Sequence, residues 1–132
     1  IDLLVVDYLQ LVSVRNLKLG SRQEEVAFIS QTFKQLARRL AIPIICLSQL
    51  SRSVERREEK RPLMSDLRDS GAIEQDADIV LFVYRPDYYL NTQQPLADNQ
   101  EVELIVSKHR NGPIGSINLR FSLKYGEFIQ IE

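Results

Sequence analysis

The chain has 132 residues, 44% of them hydrophobic, which is the size of one domain with enough apolar material for a core. With 17 Lys+Arg against 18 Asp+Glu its net charge is -1, so any contact with nucleic acid must come from local patches rather than a global basic field. No apolar stretch approaches a membrane span, no signal-peptide pattern is present, and a single cysteine excludes an intramolecular disulfide.

Ile1 to Val6 is apolar apart from Asp2 and ends at Asp7, the pattern of a strand covered on both faces. The chain opens on this run with neither methionine nor leader and is expected to be a piece of a longer protein. Ser13 to Gly20 is a polar connection. A helix follows: Ser21 and Glu24 fit a capping box, and Val26, Ile29, Phe33, Leu36 and Leu40 recur along one face. Pro43 stops the helix, and Ile44 to Leu47 form a second buried strand that ends in Ser48-Gln49. Cys46, inside that run, reads as a small buried hydrophobe.

Leu50 to Arg61 is charge-rich, and its part from Arg52 mixes five cations with three anions (Glu55, Glu58, Glu59), the composition of a solvated, salt-bridged face. Asp66 to Gln75 reads as a polar connector and Ile79 to Val83 as a third buried strand. Arg85 to Gln100 has two prolines and no periodicity, so it reads as a surface excursion, with Tyr84, Tyr88 and Tyr89 as local packing. Val102 to Val106, Ile117 to Phe121 and Phe128 to Ile131 are closely spaced strands, with turn signals at Gly112-Pro113 and Tyr125-Gly126. This order indicates an α/β fold, a mostly parallel sheet with helices and an antiparallel C-terminal extension.

Open α/β sheets bind ligands at the carboxyl ends of their parallel strands, where Asp7 and Gln49 stand. A carboxylate there can hold Mg²⁺ through the metal's water shell, and a carboxamide can donate to a γ-phosphate or accept from an attacking water. Each residue alone reads as a turn residue, and it is their occurrence together with Lys108 and Arg110, each at a strand end, that points to a site. Lys108 and Arg110, at i and i+2 of a strand that runs into Gly112-Pro113, share a face on extended backbone, with His109 pointing the other way. An ammonium beside a forked guanidinium makes a clamp for phosphate oxygens, on this or a neighbouring molecule. In Asp66-Leu67-Arg68-Asp69-Ser70-Gly71, Arg68 can neutralise a phosphate and Gly71 lets backbone amides approach an anion. The segment carries no aromatic for base stacking.

Asp7-Tyr8-Leu9-Gln10-Leu11, Leu47-Ser48-Gln49-Leu50-Ser51-Arg52, the run from Ser65 to Asp78, and Lys108-His109-Arg110-Asn111-Gly112-Pro113-Ile114-Gly115 occur in that order. Together they resemble the C-terminal motor domain of DnaB-type hexameric replicative DNA helicases, over nearly the whole chain. The resemblance implies a RecA-like P-loop NTPase core, with residues 1–132 as its C-terminal part starting at the Walker B strand. It implies ATP-dependent unwinding of duplex DNA at the replication fork by a homo-hexameric ring that translocates on single-stranded DNA. Asp7 then matches the Mg²⁺-holding aspartate, and Gln49 the glutamine that couples the γ-phosphate to the DNA-binding loops. Lys108 and Arg110 match residues inserted into the next subunit's ATP site, Arg110 as the arginine finger. Arg68, Asp69 and Gly71 match the central-channel loop that holds DNA phosphates.

Asp69 stands where glutamate is usual and His109 where glutamine is frequent, and on strand geometry the identity of His109 should matter little. The phosphate-cradling loop Gly-x-x-x-x-Gly-Lys-Ser/Thr and the water-polarising glutamate are expected upstream of Ile1, so this piece alone should not hydrolyse ATP. Primase and a helicase loader are implied partners, no membrane is, and the implied location is the bacterial cytoplasm at the nucleoid or the plastid stroma. Two other readings share parts of the pattern: a filament-forming RecA-like recombination or repair ATPase, and a non-catalytic assembly subunit with the same fold. The run from Asp66 to Asp78 and the Lys108 to Gly115 block favour the helicase over the recombinase, whereas the retained Asp7, Gln49, Lys108 and Arg110 argue against the non-catalytic subunit, a choice that sequence upstream of Ile1 decides.

Overall fold

Two units make up the computed structural model: Ile1–Ser53 with Met64–Ala77, and Val54–Leu63 with Asp78–Glu132. It describes residues 1–15, 19–90 and 97–131, with the side chains of residues 68–70 outside the description. Parts of the connection Ser13 to Gly20 and of the excursion Arg85 to Gln100 therefore lie outside the described residues.

In the first unit β1 (Leu4–Val6) pairs in parallel with β2 (Ile44–Cys46), Leu4 opposite Ile44 and Val6 opposite Cys46. Helix α1 (Arg22–Leu40) connects them, as a parallel pair requires. Ser21, in extended conformation, caps α1 by accepting the Glu24 N–H on Oγ at 3.2 Å. The Glu24 carboxylate reaches one residue further back than a capping box predicts, accepting the Gly20 N–H at 2.8 Å. The helix ends at Ala41 in left-handed backbone (φ 52°), and Pro43 two residues later prevents its resumption.

Val26 and Ile29 bury themselves against Leu9, with Val12, Val14, Phe33 and Ile73 around them. Each such side chain contributes roughly 1.5–3 kcal/mol. The expected apolar face fades along α1, since Leu40 is half-exposed.

Asp66 to Gln75 is not a connector. A 3-10 segment, Met64–Ser70, kinks at Leu67 and runs into α2 (Gly71–Asp76). Leu67 is buried and Ile73 packs on the core, too few apolar residues over too short a span to show a helical period in sequence. Ser30 Oγ donates to Asp76 Oδ2 at 2.8 Å and ties α2 to α1.

The second unit is an antiparallel sheet in the order β3 (Ile79–Tyr84), β4 (Asn99–His109), β5 (Gly115–Ser122), β6 (Glu127–Gln130). The third strand therefore opens the antiparallel extension, and it alternates rather than being buried throughout: Val80 and Phe82 are inside, Leu81 and Val83 half-exposed. β4 starts at Asn99, inside the stretch read as an excursion, and runs through Lys108. Gly126 takes the positive φ (68°) that closes the β5–β6 turn. The α/β class holds, with the parallel part confined to β1 and β2 among the described residues.

The charge-rich segment behaves as its composition suggests. Arg61 donates to both Glu103 oxygens, at 3.0 and 2.6 Å, and these bonds hold the Glu103 carboxyl below its ordinary range. Arg57 donates to the carbonyls of Glu59 and Arg61. The tyrosines pack on one another, with Tyr88 and Tyr89 edge to face at 5.2 Å and Tyr84 6.2 Å from Tyr89. Cys46 departs from expectation: it is exposed, although desolvation of the sulfur still pushes its thiol up, away from reactivity.

Candidate functional site

Asp7 and Gln49 follow the carboxyl ends of neighbouring parallel strands, as expected. The pairing continues past the strands: Leu47 N–H donates to the Val6 carbonyl and Leu9 N–H to the Leu47 carbonyl, each at 2.9 Å. Leu47 thus brackets Asp7 and Tyr8, whose peptide bond is cis. Both Asp7 and Gln49 are exposed, so their side chains are available to a ligand.

Sequence reasoning gave no role to Gln10, which joins these two strand ends. Its Nε2 donates to Ser48 Oγ at 3.0 Å and to the Gln49 carbonyl at 3.5 Å, while its Oε1 accepts the Gln49 N–H at 3.3 Å. One carboxamide thereby holds both backbone groups of Gln49. Gln10 is held in turn by Arg22, whose Nη2 donates to the Gln10 carbonyl at 2.7 Å and which also pairs with Glu25. The Val14 N–H, then the Arg22 guanidinium, holds the Glu25 carboxyl below its usual range.

Lys108 lies within β4 opposite Val80, and a bulge separates it from the Leu81–Val106 pair. β4 ends at His109, so Arg110 belongs to the turn, and strand alternation stops one residue short of it. What orients Arg110 is Asp78: the Arg110 N–H donates to the Asp78 carbonyl at 2.8 Å, and Nη1 lies 3.0 Å from Asp78 Oδ1. Asp78 is the last residue of a run already singled out in the sequence, but no local pattern reveals a partner so distant in the chain.

The His109 ring folds back over the turn, and its Nδ1 lies 3.3 Å from the Pro113 carbonyl. A Cβ on Gly112 would come within 2.3 Å of that ring, so a larger residue there would have to displace the His109 side chain. Gly112→Ala is expected to weaken amide-exchange protection in the β4–β5 hairpin by about 1 kcal/mol, the low end for overpacking because the ring can swing away. Adding His109→Ala should recover most of that loss. Hydrogen exchange on both variants checks it, and an unrelieved double variant would clear the ring as the obstacle.

Of the segment expected to meet DNA, the side chains of Arg68 and Asp69 lie outside the described residues. Their backbone is in the 3-10 segment, anchored by buried Asp66 and Leu67, with the Asp66 carbonyl accepting the Ser51 N–H at 2.9 Å. Gly71 is exposed at the start of α2, and a Cβ there would meet nothing. The first unit thus carries Asp7, Gln49 and this segment, and the second carries Lys108 and Arg110.

No group of three or more His, Cys, Asp or Glu able to hold a metal exists among the described residues. A lone exposed carboxylate such as Asp7 does not fit a structural zinc or calcium cage. It fits a magnesium ion that keeps water ligands and takes others from a substrate's phosphates.

The family described as DnaB-like helicase C terminal domain matches residues 1–130. The chain is 49% identical, over its full length, to the replicative DNA helicase DnaB of Geobacillus stearothermophilus, and 47% identical to the replicative DNA helicase DnaC of Bacillus subtilis. It spans 28% of the length of each. A solved ATPase domain superposes with a TM-score of 0.86 at 45% identity, covering 98% of this chain and 44% of that one. A DnaB-like replicative helicase studied for its interactions with primase gives the same TM-score and identity, with 31% of that chain covered. These matches run through every motif described above, and the chain belongs to the DnaB-like helicase C-terminal domain family.

Proposed function

We propose that this chain is part of the motor of a hexameric ring helicase that uses ATP to unwind duplex DNA at the replication fork while translocating on single-stranded DNA. The observation that carries this reading is the placement of Asp7 and Gln49 at adjacent parallel strand ends, joined through Gln10, in a chain matched throughout by one helicase family. In this reading Asp7 holds a magnesium ion, which when bound neutralises charge on the nucleotide's phosphates.

Gln49 exposes a carboxamide that changes hydrogen-bond partners with the state of the γ-phosphate, and Gln10 transmits its backbone position to the segment after β1. Lys108 and Arg110 act on the nucleotide of the neighbouring subunit, where the guanidinium and ammonium neutralise charge that develops on the transferred oxygens. Arg68, Asp69 and Gly71 meet DNA phosphates, and primase and a loader are partners of the assembled ring.

In the full-length protein, ATP and magnesium should drive displacement of one strand from a forked duplex by a particle with the mass of a hexamer. Gln49→Ala should lose most of the stimulation by single-stranded DNA, with a smaller loss of basal hydrolysis. Filaments that exchange strands between homologous duplexes, with no unwinding of forks, would instead favour the recombinase reading.

A further inference from the structure

We propose that Asp78 is the positioning residue of Arg110, fixing the direction of its guanidinium before the neighbouring subunit presents a phosphate. This rests on the reading of Arg110 as the trans-acting finger.

Ile79 pairs with His109 as the last rung of the β3–β4 ladder, and the bond from the Arg110 N–H to the Asp78 carbonyl extends that ladder by one step. The ladder fixes the Arg110 backbone, but it leaves a long side chain with several rotatable bonds at an exposed turn. The Asp78 carboxylate, 3.0 Å from Nη1, selects among those rotamers. Asp78 therefore holds both ends of Arg110, the main chain through its carbonyl and the guanidinium through its carboxylate.

Exposure decides that this contact guides rather than locks. The side chains are 47% and 54% exposed, so the pair is weakly held, and an incoming phosphate with greater charge can draw the guanidinium on. Asp78 thus narrows the orientations from which Arg110 engages, the kind of preorganisation whose loss slows the reaction without changing ground-state binding.

The test is DNA-stimulated ATP hydrolysis by the full-length hexamer. Asp78→Ala should lower kcat about two- to fivefold, as much as an exposed ion pair can bias an orientation, with the KM for ATP, ring assembly and single-stranded DNA binding unchanged. Asp78→Asn keeps an oxygen acceptor at the same place and should recover part of the rate, and it serves as the near-isosteric variant should the alanine protein fail to assemble. Asp78→Ala combined with Arg110→Ala should be no slower than Arg110→Ala alone, because Asp78 acts through Arg110.

Wild-type kcat in Asp78→Ala or, if that protein does not assemble, in Asp78→Asn, or a double variant slowed by the product of the single effects, would overturn the positioning role and leave the finger intact. If Arg110→Ala itself keeps the wild-type rate, the finger reading fails and the positioning role falls with it.

Discussion

Arg110→Ala in the full-length protein is expected to lower DNA-stimulated ATP hydrolysis by about 10³- to 10⁵-fold, the range for arginine fingers in other phosphoryl-transfer systems, with far less effect on nucleotide affinity. Arg110 emerges from the β4–β5 turn on the second unit, where Asp78 contacts both its backbone and its guanidinium. Its charge counts most as negative charge develops in the transition state, so the loss should fall mainly on kcat. If the guanidinium serves a neighbour's nucleotide, a ring mixed with Asp7→Asn subunits contains some interfaces at which both residues are intact. Mixtures of the two inactive proteins should therefore hydrolyse ATP faster than the sum of the separate preparations. With subunit exchange verified, a mixture that never exceeds that sum would place Arg110 outside the neighbour's site.

Much of this arrangement is legible in the sequence because it is local. Apolar runs that end at Asp7 and at Ser48-Gln49 announce strand ends, and the spacing from Val26 to Leu36 announces the helix that connects them. The turn around Gly112-Pro113 is likewise written in a residue with a permissive backbone followed by one with a fixed φ. What escapes is set by contacts between distant segments.

Periodicity does not say which neighbour a strand takes, so the antiparallel pairing of Ile79–Tyr84 with Asn99–His109 was invisible. The helical character of Met64–Asp76 was hidden by its shortness. Gln10 and Asp78 stand inside motifs that mark the family, yet each works by hydrogen-bonding a residue that is adjacent only after folding. Cys46 shows the converse error, since an apolar neighbourhood in sequence does not guarantee a buried side chain.

Arg68→Ala is expected to weaken binding of the full-length ring to single-stranded DNA about equally on unrelated sequences and to flatten its dependence on salt. A side chain that neutralises a phosphate releases counterions and carries no base information, so its loss removes affinity and salt slope together. The buried Asp66 and Leu67 fix the segment's backbone on the first unit, so the substitution should leave nucleotide binding and basal hydrolysis intact. A ring presents the contact once per subunit along one strand, so the combined loss exceeds that of a single phosphate contact, roughly a hundredfold or more where several subunits engage together. DNA-stimulated hydrolysis and unwinding should fall in parallel, since both depend on that grip. Binding of several oligonucleotides across a salt series, with hexamer assembly monitored, makes the measurement. An unchanged slope, or a loss confined to one sequence, would remove Arg68 from the DNA-contacting surface.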